Sequence, residues 1–242
     1  MADLVYRRVL HDLKSRIHDN QFPDKRLPDE RSLSEAYNVS RSSIKRALGV
    51  LANQGIIFKK RGSGTFINPL YMKNQTIFHY EGSNLGITDS FKSDGQTQGI
   101  KLLSFKVVPA NEEMQQDLFL EKGDFVYEIK RLRLFDDHPF MIERGFIPIK
   151  IAPELSQKVV SGSIFNYLED VQNKVVTKSF MTMKAAPSNE EDQDLLALKP
   201  TEPVAIMDGI FFLDDGTPFE VSNMRLRYDY FNYNTFVTLD EE

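Results

Sequence analysis

Two arginines set two residues apart, Arg131 and Arg133, lie in an alternating stretch from Phe125 to Phe135. In a strand both would point to one face. Guanidiniums side by side repel unless an anion sits between them, and each planar fork matches phosphate or carboxylate oxygens bidentately. That anion can be a bound ligand. It can equally be a carboxylate of the chain itself, with Glu128, Glu143 and Glu220 as candidates. The residues alone leave both open. A second group of cations lies near the amino terminus, where Arg41, Lys45 and Arg46 are interleaved with Ser40, Ser42 and Ser43. Cations placed along a phosphate backbone supply most of the affinity for a duplex.

Other chemistries find no residues. The 242-residue chain has no cysteine, so it has neither a disulfide, nor a thiolate nucleophile, nor a thiolate-bound metal. His11, His18, His79 and His138 show no metal-ligand spacing. No nucleophile–base motif or glycine-rich phosphate loop stands out, although Glu143 and Glu220 could in principle work as an acid/base pair. No apolar run approaches the roughly 18 residues of a membrane-spanning helix, and the first residues lack a secretory pattern, so a cytoplasmic protein is expected, with no membrane partner and no cofactor.

The elements that must position these side chains follow from periodicity. Val5, Val9, Leu13 and Ile17 recur every four residues and predict a first helix, ended by Phe22-Pro23. Asp29 can cap a second helix that turns Leu33 and Ala36 inward, and Ser40 a third. In the third, Ile44, Ala47, Leu48 and Leu51 form one apolar stripe, with Ser42, Arg46 and Gly49 opposite and Lys45 on the flank. Gly55 stops it. Ile56–Lys60 and Thr65–Ile67 read as strands about the turn Arg61-Gly62-Ser63-Gly64. Two helices joined by a short turn and then a hairpin make a winged helix-turn-helix. In it the amides and the Ser40 and Ser43 hydroxyls suit phosphate, and Arg41 can reach guanine O6 and N7. Residues 68–76 are polar and without period and read as a linker. Beyond them strands and helices alternate: strands near 100–108, 125–135, 140–147, 175–185, 204–213 and 219–228, with helices behind Asn111, Ser163 and Ser188. This predicts an α+β domain with a largely antiparallel sheet. Charge divides at the same place. Residues 1–70 hold 13 Lys+Arg against 7 Asp+Glu, and the remainder 17 against 28, within a net charge of −5. A basic head on an acidic body suits a chain whose first domain alone meets phosphates.

The ordered motifs Leu27-Pro28-Asp29-Glu30-Arg31, Val39-Ser40-Arg41-Ser42-Ser43, Gly55-Ile56-Ile57 and Gly62-Ser63-Gly64-Thr65-Phe66 resemble the GntR family of transcription regulators. In the body, Tyr127–Arg133, Ile142–Pro148, Ser163–Leu168 and Asp215–Glu220 resemble the UTRA effector domain of its HutC branch. The resemblance implies a winged helix-turn-helix over 1–68, a linker over 69–76 and a UTRA effector-binding and dimerisation domain over 77–242. It implies that Arg31, Arg41 and Lys45 reach operator DNA, with the wing residues Gly62, Ser63, Gly64 and Thr65 beside the minor groove. Lys45 stands where arginine is commoner, and Asp29 where serine is usual. The implied effector residues are Ser90, Phe91 and Lys92, then Arg131, Arg133, Glu143, Ser163, Phe165, Tyr167 and Glu220. Lys92 replaces a hydroxyl residue, and Leu226 stands where relatives can have a tyrosine. In phosphosugar-responsive members such arginines meet the phosphate. The expected protein is a homodimeric repressor of a sugar uptake or catabolic operon, bound to a palindromic operator and released by a small anionic effector. A non-phosphorylated organic acid or amine-type metabolite is the other effector class. An enzyme, or an architectural DNA binder without effector, are the other functions considered.

Overall fold

The computed structural model describes residues 2–73, 98–231 and 233. They fall into two compact units, residues 2–73 with Tyr233 in one and residues 98–231 in the other. Among the described residues no helix is long and apolar enough to cross a membrane.

The first unit holds α1 (Ala2–His18), α2 (Glu30–Tyr37), α3 (Arg41–Asn53) and the hairpin β1 (Ile57–Lys60) and β2 (Gly64–Ile67). Its core is the apolar stripe of each helix: Val9, Leu13 and Ile17 from α1, Leu33 from α2, and Ile44, Ala47, Leu48 and Leu51 from α3. Both expected caps form. The Asp29 carboxylate accepts from the Ser32 amide, and the Ser40 hydroxyl from the Ser43 amide. Gly55 ends α3 at φ 67°, a left-handed conformation that costs glycine little. Ala36, expected to face inward, is exposed. The eight-residue α2 touches the core through barely one turn, and Leu33 takes that contact.

Residues 69–76, expected to be a linker, begin as structure. Pro69–Lys73 form a short helix, α4, and Tyr71 and Met72 pack on the core of the first unit. Asn68 explains it: its side-chain oxygen accepts from the Leu70 amide, and Pro69 occupies the first helical position, where no amide is needed. Residues 74–76 lie outside the described ones.

The second unit is a six-stranded antiparallel sheet in the order β3-β4-β5-β8-β7-β6. Its strands are β3 (Gln98–Pro109), β4 (Phe125–Phe135), β5 (His138–Pro148), β6 (Val176–Pro187), β7 (Pro203–Leu213) and β8 (Pro218–Arg227). The two-residue turn Asp136-Asp137, with φ 47° and 62°, joins β4 to β5. The helices α5 (Glu112–Asp117), α6 (Gln157–Val160), α7 (Ile164–Gln172) and α8 (Glu190–Leu196) flank the sheet. On one face Val160 of α6 and Ile164 and Leu168 of α7 join Ile129, Met141, Met207, Phe211, Met224 and Leu226 in the main core. On the other, Leu196 and Leu198 at α8 pack on Leu132, Ile142, Val204 and Ile206. Asp192, fully buried, locks α8: it closes a capping box with Asn189, and it accepts from Arg225 Nε and Nη2, each at 2.6 Å.

Leu48 carries no exposed surface, and its loss would leave a cavity under α3. Leu48→Ala is expected to cost the first unit about 2–5 kcal/mol, measured by urea unfolding followed by far-UV circular dichroism.

Candidate functional site

The first unit presents the cations of α2, α3 and the hairpin to water, while Lys14 of α1 is buried. Arg41 and Lys45 are exposed along α3 and make no ion pair among the described residues. Arg31 bonds Glu35 one turn on at 2.9 Å, but both side chains are two-thirds or more exposed, so solvent screens the pair and a phosphate can displace it. Ser40, Ser42 and Ser43 form a hydroxyl cluster at the start of α3, with Ser40 Oγ 2.9 Å from each of the other two. Arg46 is placed differently. Its guanidinium lies over the Tyr6 ring of α1, 4.0 Å from the centroid, so it braces two helices while remaining exposed.

In the hairpin, Gly62 and Gly64 have φ 72° and 114°, and Ser63 closes the turn onto the Lys60 carbonyl at 2.9 Å. Arg26 lies so close that a Cβ on Gly64 would sit 3.0 Å from its Nε. Gly64 is therefore required by the hairpin itself. Thr65 pairs with Lys59 and accepts the Leu27 amide at 2.9 Å, which ties the wing to the loop before α2. Lys59 bonds Glu30, whereas Lys60 and Arg61 are exposed without an ion pair among the described residues.

The second unit does the opposite and buries charge. Arg131, Arg133, Glu143 and Glu220 are each 3–6% exposed, and all stand on the sheet face that α6 and α7 cover. Register creates the cluster: Arg131 of β4 stands directly opposite Glu143 of β5. Arg131 Nη2 donates to Glu143 Oε1 at 2.8 Å, and Arg133 Nε to Glu143 Oε2 at 2.7 Å. Arg131 Nη1 donates to the carbonyls of Val160 (3.2 Å) and Gly162 (2.9 Å), which the end of α6 leaves free. Of the three carboxylates considered for the arginines, Glu143 is the one that bonds them. Glu128 instead accepts from Arg144 on the other face.

Glu220 lies beside this triad and makes no hydrogen bond or ion pair to a described residue. It leans over Gly145, where a Cβ would stand 2.2 Å from its Oε1. Electrostatics separate the two glutamates. Burial alone would raise Glu143, but the two adjacent guanidiniums and their hydrogen bonds outweigh it and hold it down at about 2. Burial and the neighbouring Glu143 charge push Glu220 up to about 8 against the pull of Arg131 and Arg133. The same neighbours thus drive the two carboxyls apart, Glu143 toward its ionised form and Glu220 toward its protonated one.

Ser163 caps α7 by accepting from the Asn166 amide, close in sequence to the carbonyls that hold Arg131. The Phe165 ring sits edge-on to Phe211 and Phe219, with centroids 5.2 and 5.9 Å away, and Tyr167 packs against the same core. Both are half-buried parts of the wall. Leu226 is fully buried in that core. Ser90, Phe91 and Lys92 lie outside the described residues. Sequence reasoning missed Gly145 and Ser222, although strand alternation places each two residues from a glutamate of the cluster.

Helices that display a cationic, hydroxyl-rich face, a tied hairpin and a second unit whose sheet buries two arginines and two glutamates together define a DNA-binding regulator with a ligand-binding domain. Residues 5–67 match the family of bacterial regulatory proteins called gntR, and residues 93–232 match the UTRA domain. The chain belongs to the GntR family and carries a UTRA domain, which binds a small-molecule effector. It is 32% identical to the HTH-type transcriptional regulator GmuR of Bacillus subtilis (strain 168) over 93% of this chain and 95% of that one. It is 28% identical to the mannosyl-D-glycerate transport/metabolism system repressor MngR of Escherichia coli (strain K12) over 95% and 94%. The crystal structure of a possible transcriptional regulator, YydK of B. subtilis, shares the fold at TM-score 0.76 and 23% identity, covering 97% of this chain and all of that one. These families and relatives are transcription regulators, not enzymes.

The two glutamates give stability opposite pH dependences. The folded state holds a proton on Glu220 from its ordinary 4.5 up to about 8, where the unfolded chain does not, so this group makes stability fall as pH rises through that window. Glu143 makes stability rise between about 2 and 4.5 and contributes no slope above. Melting temperatures from pH 5 to 8.5 should therefore fall in the wild type and fall less in Glu220→Gln.

Proposed function

We propose that this protein is a repressor of a sugar uptake or catabolic operon, released from its operator by a small anionic effector such as a phosphorylated sugar. One observation carries the reading: Arg131 and Arg133 converge on the single carboxylate of Glu143 on a buried sheet face, and Arg131 Nε is left there without a hydrogen-bond partner among the described residues. A buried guanidinium N–H left unpaired is costly, and an incoming anion removes that cost. MngR's own description as repressor of a mannosyl-D-glycerate system fits a sugar carrying an anionic group. A non-phosphorylated organic acid would satisfy the same cluster and is the second reading.

In this reading residues 1–68 read DNA, 69–76 connect, and 77–242 bind effector and dimerise. Arg31, Arg41, Lys45, the Ser40–Ser43 hydroxyls and the wing contact the operator. Arg46, exposed and braced on Tyr6, contacts the operator with them. Ser163 and the segment with Ser90, Phe91 and Lys92 complete the effector site around the arginines, walled by Phe165 and Tyr167. Two copies bind a palindromic operator. Effector shifts the population toward a state whose reading heads no longer match the half-site spacing.

Removing either arginine outright would leave a cavity and one unpaired Glu143 oxygen in a buried site and endanger folding. Arg133→Lys keeps the charge but loses the planar fork. A thermal-shift panel of hexose phosphates, plain sugars and small carboxylates, paired with operator binding by fluorescence anisotropy, tests the reading. A phosphosugar should stabilise the wild type, weaken operator binding, and do both less well in Arg133→Lys. Stabilisation by carboxylates alone would select the second reading. Arg41→Ala should cost operator affinity about 1–3 kcal/mol without changing effector binding.

A further inference from the structure

We propose that Ser222 is an effector contact, reading an uncharged hydroxyl of the ligand at the centre of the sheet; this rests on the effector reading above. Ser222 lies on β8 two residues from Glu220 and therefore on the same face as the charge cluster. It is 2% exposed, yet its hydroxyl has no hydrogen-bond partner among the described residues. A buried hydroxyl left unpaired is expensive, and such groups in native structures belong to sites where something else supplies the partner. Arg131 Nε, on the same face, is likewise buried and unpartnered.

Register gives Ser222 its surroundings. It pairs with Gly145 of β5 on one side and with Gly209 of β7 on the other. Neither neighbour has a side chain that could bond the hydroxyl or stand beside it. The space next to Gly145 holds the Glu220 carboxyl, and that next to Gly209 holds the Met181 sulfur. On the Gly209 side the Phe180 backbone carbonyl also stands close, so the opening beside Ser222 lies on the Gly145 side, where only the Glu220 side chain intervenes. Ser222 stands two strands away from Arg131, roughly 10 Å across the sheet. That is the reach of a phosphorylated monosaccharide, whereas free phosphate would occupy only the arginine end. A hydroxyl both donates and accepts, so Ser222 suits a sugar hydroxyl in either sense.

The test uses the full chain in isothermal titrations with glucose 6-phosphate, mannose 6-phosphate, glucosamine 6-phosphate and inorganic phosphate, comparing wild type, Ser222→Ala and Arg133→Lys. Ser222→Ala should weaken the bound hexose phosphate about three- to tenfold and leave inorganic phosphate unchanged. Its ligand-free melting temperature should not fall, because the hydroxyl removed has no bond to lose. Arg133→Lys should weaken both ligands. Hexose phosphate binding that is equal in Ser222→Ala and wild type, but lost in Arg133→Lys, overturns the role of Ser222 and leaves the anion site standing. A lowered ligand-free melting temperature in Ser222→Ala, with its affinity unchanged, makes the hydroxyl structural. A hexose phosphate that ignores Arg133→Lys, or the failure of all three to bind the wild type, removes the phosphosugar reading and this inference with it.

Discussion

Arg131 and Arg133 both donate to Glu143, and all three groups have given up water to do so. Such a triad adds little net stability, because desolvation offsets most of the attraction, yet removing one member leaves the others stranded. Much of the second unit is arranged around that constraint. The antiparallel register of β4 and β5 sets the carboxylate opposite the first arginine. The end of α6 turns free carbonyls onto the remaining edge of Arg131. Gly145 clears room for Glu220, whose proton then becomes the adjustable element of the charge balance.

The first unit works on the opposite principle. Its core is apolar side chains from the helix stripes, the loops and the hairpin, and although Lys14 is buried the cations of α3 and the hairpin stay in water. Solvated cations exchange a screened partner for phosphate at little cost, whereas buried ones demand a specific anion. One chain thus holds two kinds of recognition. The exposed kind suits a long polyanion met on a surface, and the buried kind a small anion enclosed by the fold.

Much of this was legible in the residues. Periodicity located the three head helices and the hairpin, because a buried stripe must repeat with the helix turn. Asp29, Ser40, Asn111 and Ser163 announced helix starts through a local rule, a side-chain oxygen meeting an amide two or three residues on. Asn68-Pro69 carried the same kind of signal for α4, and its polar surroundings hid it.

The sequence by itself determined the elements, the family and the face on which Arg131 and Arg133 stand, since all of these depend on neighbours a few residues apart. Only the tertiary structure decided what those arginines bind within the chain, and that Arg46 stacks on Tyr6. Partner choice joins residues 12, 29 or 40 positions apart, through strand register, the path of a short helix and a stacked ring. Alternation names the face of a strand but not the residue that will stand opposite, and a backbone carbonyl carries no side-chain signature. The opposite pulls on Glu143 and Glu220 follow from those pairings and from burial, so they exist only once the sheet has closed.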